Sequence, residues 1–216
     1  MSSNDPLDDL LSNYNSTVLK NTKKVLEILE SAYELTVPGL IAKSMTDRLS
    51  QSSGVEFHYG TPESELRRMA SWLFTIAGED HVKLLRVAKA AWKRHGREDL
   101  RIAGLVIANL NHSILDNGPW QELANVVGRS EPLEALLEVI EEIARSGAKI
   151  PDDSVLEVWG NTSPILHHVA LLTIRVCNRR DEVTKLSDVQ RKIIQNRPPG
   201  PELLERIANG LLNSAS

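Results

Sequence analysis

Apolar residues recur at three- and four-residue spacings along almost the whole chain, and the alternation of aromatic and β-branched residues that marks strands is nearly absent. The pattern predicts an all-α protein. Over 18–35, Val18, Val25, Ile28, Leu29 and Leu35 fall broadly on one side of a helix that Pro38 stops or kinks. A shorter helix is expected in GLIAKSMTDRLS (39–50), and the polar, glycine-bounded QSSGVEFHYG (51–60) reads as a loop.

Helix starts are marked downstream. In TPESELRRMASWL, Thr61 is placed to cap free amides, Pro62 suits the first helical position, and Glu63 and Glu65 complement the positive end of the dipole. Ser163-Pro164 repeats this signal, Ser130-Glu131-Pro132 is a looser version, and PPGP (198–201) breaks the chain before a last helix.

The helices behind these starts resemble one another. Arg68-Met69-Ala70, Arg101-Ile102-Ala103, His168-Val169-Ala170 and Arg206-Ile207-Ala208 each lie early in an apolar helix, 33, 67 and 38 residues apart. The gap of 67 is close to two periods, and Glu134-Ala135-Leu136 fills the vacant place. All-helical repeats of this size predict an α-solenoid of HEAT-like helix pairs, each burying its apolar face against its neighbours, with alanine allowing close approach. The expected organisation is one domain, 1–216, with N-terminal helices over 1–56 and the repeat array over 57–212. A compact bundle without repeats is the alternative.

Composition narrows the functions. The 216 residues are 41% hydrophobic and 25% charged, ordinary for a folded chain, and the net charge of −4 argues against coating nucleic acid by bulk charge. Local basic faces therefore matter more than the total. The single cysteine, Cys177, allows no disulfide framework and no thiolate metal site. The acidic N-terminus and the lack of a long apolar run point to a cytoplasmic protein without a membrane partner.

Standard enzyme motifs are absent: there is no glycine-rich phosphate loop, GxSxG elbow or HExxH helix. Adjacent residues on a helix point about 100° apart, so His167 and His168 cannot share one ion as an i, i+4 pair would. His58, His81, His95 and His112 lack paired ligand spacing too, and no metal or cofactor is expected. In HVKLLRVAKAAWKRHGR (81–97), Lys83, Arg86, Lys89, Lys93, Arg94 and Arg97 share one side, opposite Leu84, Leu85, Ala88, Ala91 and Trp92. Such a stripe suits a phosphate backbone, or is simply a solvated helix face. Residues 131–157 are acidic by contrast. Trp72 and Trp92 read as core, whereas Trp120 and Trp159 stand at helix boundaries where a half-exposed ring could stack on a base.

The order HYGTPESELRRMASWL, VAKAAWKRHGREDLRIAGLVIANL, NGPWQELANVVG, VLEVWGNTSPILHHVALL resembles the HEAT-like-repeat DNA alkylation-repair glycosylases of the AlkD type, over roughly 57–212. The resemblance implies a C-shaped stack of helix pairs whose concave basic face holds duplex DNA and from which positively charged alkylated bases are removed. Aromatic rings and a carboxylate would stabilise the cationic leaving nucleoside, and an arginine would anchor the phosphate.

Trp120 matches the first tryptophan of that pattern, but the acidic position four residues on is Ala124, and His167-His168 stand where the arginine pair would be. Histidine cannot make the same bidentate phosphate contact. Near the C-terminus Leu211 replaces a further tryptophan. The expected function is duplex-DNA binding through Arg67, Arg68, Lys83, Arg86, Lys89, Lys93, Arg101, His167 and His168, with Trp120 and His168 the candidates at an excision site whose carboxylate is missing. The alternative is a non-catalytic scaffold that holds a protein partner.

Overall fold

The computed structural model describes residues 5–37, 54–128, 130–181 and 185–214. Among the described residues there are eleven α-helices and two 3-10 turns and no strand. The chain forms two compact units, 1–117 and 118–216, each with its own apolar interior. The helix expected over 39–50 lies outside the described residues.

In the first unit, α1 (Pro6–Ser12) is capped by Asp5 and is followed by a 3-10 turn, Ser16–Lys20. The helix expected from residue 18 begins only at Thr22, because the Asn21 side chain accepts a hydrogen bond from the Lys24 amide at 3.1 Å and caps α2 (Thr22–Thr36) there. Val25, Ile28 and Leu29 face inward, but Leu35 is 51% exposed, in the last turn of the helix. α3 (Glu63–Ala77), α4 (His81–Arg94) and α5 (Arg97–Asn109) complete the helical part, and a second 3-10 turn spans His112–Ile114. α5 packs on both α3 and α4 and is buried along nearly its whole length.

Two close approaches fix the segment before α3. Thr61 does not cap that helix with its side chain. Its amide, with those of Tyr59 and Gly60, instead donates to the Glu98 carboxylate at 3.2, 3.1 and 2.8 Å. Buried donors need partners, and a buried carboxylate needs donors, so this one contact satisfies both. The Phe57 ring lies where a side chain on Gly96 would be, 2.0 Å from an ideal Cβ. At the same level the buried Asp99 accepts from Tyr33 at 2.9 Å and from Arg94, which also reaches Glu30.

The second unit holds α6 (Pro119–Val126), α7 (Leu133–Arg145), α8 (Asp153–Thr162), α9 (Pro164–Arg180), α10 (Asp188–Gln195) and α11 (Glu202–Ser214). The start signals at Ser163-Pro164 operate as read: Ser163 accepts from the Leu166 amide at 3.3 Å and Pro164 takes the first helical position. Ser163 is also the whole connection between α8 and α9. α9 is the centre of the unit, with Val169, Ala170, Leu171 and Leu172 fully enclosed and contacts to α7, α8, α10 and α11. Ala70, Ala103, Ala170 and Ala208, at the recurring position, are all buried.

Candidate nucleic-acid interface

α4 carries the basic stripe. Asp80 accepts from the Lys83 amide and starts the helix, and His95, in the left-handed region at φ 61°, ends it. Between them Leu84, Val87, Ala88, Ala91 and Trp92 are buried, which turns Arg86, Lys89 and Lys93 outward. These three are exposed at spacings i, i+3 and i+7, so they lie on one face.

The rest of the predicted stripe is used within the fold. Arg94 turns inward, because the buried Asp99 requires a cation, and it binds Asp99 at 2.5 Å and Glu30 at 2.9 Å. Arg97 donates to the Thr61 carbonyl at 3.1 Å. Lys83 folds back onto Asp80.

The three arginines outside α4 are also matched with carboxylates. Glu63 receives Arg67 at 2.8 Å and the nearly buried Arg101 at 2.5 Å. Arg68 bridges Asp5 at 2.9 Å, Asp8 at 2.6 Å and Glu65 at 2.6 Å, and its guanidinium holds the Asp5 carboxyl below the usual carboxylate range. Arg67 pairs with Glu63 at the local i, i+4 spacing, but spacing could not show that Arg68 and Arg101 face acids distant in the chain.

Trp120 is 7% exposed and its indole N–H is buried without a hydrogen-bond partner among the described residues. Position 120 therefore packs inward with Leu123 instead of presenting a half-open ring. Trp159, at 4% exposure, does likewise. Ala124 is half-buried and Asn125 is exposed. Glu122, which sequence reasoning passed over, is a carboxylate buried on the same short helix as Trp120.

The histidine pair divides by a third of a turn. His167 is buried, with Nδ1 2.7 Å from the Gly160 carbonyl and Nε2 2.8 Å from the Ile193 carbonyl, so its ring ties α8 to α10 across the start of α9. His168 is half-buried and its Nε2 has no hydrogen-bond partner among the described residues. Burial first, and then its neighbour His167, holds the His168 imidazole below its usual value. Burial likewise pushes the Cys177 thiol up to about 11, which keeps it protonated and unreactive at neutral pH.

Among the described residues no group of three His, Cys, Asp or Glu side chains is placed to hold a metal ion. No described helix is long and apolar enough to cross a membrane. Basic residues that sequence reasoning did not single out stand in the second unit: Arg175 and Arg179 on α9 have no hydrogen bond or ion pair among the described residues. Compared with family models, curated proteins and solved structures, the chain matches none.

Proposed function

We propose that this chain is a non-catalytic, HEAT-like helical-repeat protein that binds duplex DNA through α4 and does not excise bases. The repeat reading is supported by the second unit, where α9 packs against α7 and α11 on one side and α8 packs against α10 on the other, as helix pairs stacked on their neighbours would. The observation that carries the DNA reading is the outward stripe of Arg86, Lys89 and Lys93. Seven residues of helix rise about 10 Å, which matches roughly three phosphate intervals along one strand.

The stripe sets the strength of binding. Arg67, Arg68, Lys83 and Arg101 each give up charge to a carboxylate of the chain, so the stripe neutralises about two phosphates, through Arg86 and Lys93. The logarithm of the affinity then falls with the logarithm of salt at a slope near −1.8, a roughly 12-fold loss between ~50 and ~200 mM. Fluorescence anisotropy of a labelled duplex measures this slope. Charge reversal in Arg86→Glu/Lys93→Glu removes binding, while a flat salt response or no binding at ~50 mM salt sinks the reading.

Excision is not expected. The carboxylate position is Ala124, the Trp120 ring is enclosed, and His168 sits where a phosphate-anchoring arginine would be. A duplex carrying a cationic methylated purine should release no base on incubation with the protein, and release above the spontaneous rate would show an active site elsewhere. The scaffold alternative is favoured by a different observation, a groove in the second unit.

A further inference from the structure

α7, α9 and α11 each present one ridge to a common groove of about 640 Å³. Its floor is apolar: Leu137 from α7, Val176 from α9, and Leu203 with Ile207, one turn apart, from α11. Its rim carries Arg145, Arg175, Arg179 and Arg180 with the carboxylate of Glu141, while Glu142 and Asp181 pair with two of the four. A shallower continuation runs past Arg206 and Gly210.

The four rim arginines differ in their freedom. Arg145 binds Glu142 at 2.5 Å, and Arg180 is held by Asp181 at 2.7 Å and by the Ala144 carbonyl at 3.0 Å. Arg175 and Arg179, one turn apart on α9, have no such partners among the described residues. Two guanidiniums without an ion-pair partner among the described residues thus flank an apolar floor, and each is a fork suited to a carboxylate.

We infer that this groove docks an acidic amphipathic helix of a protein partner, its apolar anchors at i, i+4 and i+7 on Leu137, Val176, Leu203 and Ile207 and its carboxylates on Arg175 and Arg179. A phosphate backbone would use the arginines but leave the floor facing sugar and water. Aliphatic side chains remove that floor from solvent, and three helical ridges accept a fourth helix by ridge-into-groove packing. The inference does not depend on DNA binding by α4.

The test is a selection on the full-length protein from a displayed library of helical peptides about 18 residues long, randomised at every position. Enriched peptides should be net acidic with apolar residues at helical spacing, and should lose at least about tenfold in affinity on Arg175→Glu/Arg179→Glu while keeping it on Arg86→Glu/Lys93→Glu. Circular dichroism of the variants verifies that these outward arginines do not alter the fold. The inference is overturned if no peptide is enriched, if enriched peptides lack acidic residues, or if the Arg175/Arg179 reversal leaves affinity unchanged. Duplex DNA binding lost in that reversal would make nucleic acid the occupant, and concentration-dependent self-association lost in it would make a second copy the occupant. Either result also overturns the inference.

Discussion

At position 96 the side chain is missing for a steric reason. Gly96 has an ordinary extended backbone, φ −78°, so no unusual dihedral demands glycine. What demands it is the Phe57 ring, seated in the volume a Cβ would take. Gly96→Ala should cost about 1–3 kcal/mol of overpacking, read by denaturant unfolding, and the double variant with Phe57→Leu should recover part of it. A loss unchanged by the Phe57 substitution would mean the ring is not the obstacle. Neither residue was distinguishable in the sequence, where Gly96 resembles any glycine after a basic helix. The same holds for Arg68 and Arg101: their type and helical placement were legible, whereas Asp5 and Asp8, which bind Arg68 beside the local Glu65, and Glu63, which binds Arg101, come from other parts of the chain.

Between elements, the Glu98 carboxylate joins α5 to the segment entering α3 through the amides of residues 59–61. Glu98→Ala leaves those donors buried without an acceptor, and a loss of about 3 kcal/mol is expected in chemical denaturation. A change below about 0.5 kcal/mol would show that water replaces the carboxylate. Helix existence and many helix starts were readable because they depend on local signals: apolar spacing, Ser163-Pro164, and the PPGP break before Glu202. Local signals do not give the start at Thr22, which a 3-10 turn precedes, or the absence of a Thr61 cap on α3, where a distant glutamate takes the amide donors. The burial of Trp120 is not legible for a related reason: a helix boundary has no fixed relation to exposure once a unit closes over it.

For the whole molecule, acid sensitivity at mildly acidic pH should carry a contribution from His168. Its folded-state imidazole is held below the usual value near 6.5, so below that pH the unfolded chain accepts a proton that the folded chain resists. This part of the stability is complete above about pH 6.5 and is lost as pH falls toward the depressed folded value. Thermal melting of the wild type should therefore drop more between about pH 7 and 5.5 than that of His168→Phe, the other histidines being common to both. Parallel pH profiles would rule out His168 as the source. The single-residue link at Ser163 bears on a different property, the order of events in time. α8 and α9 can close on each other once residue 180 has left the ribosome, and α10 and α11 then add onto a surface already formed. Such near-neighbour closure carries little loop entropy, so the second unit should fold quickly and in step with its synthesis.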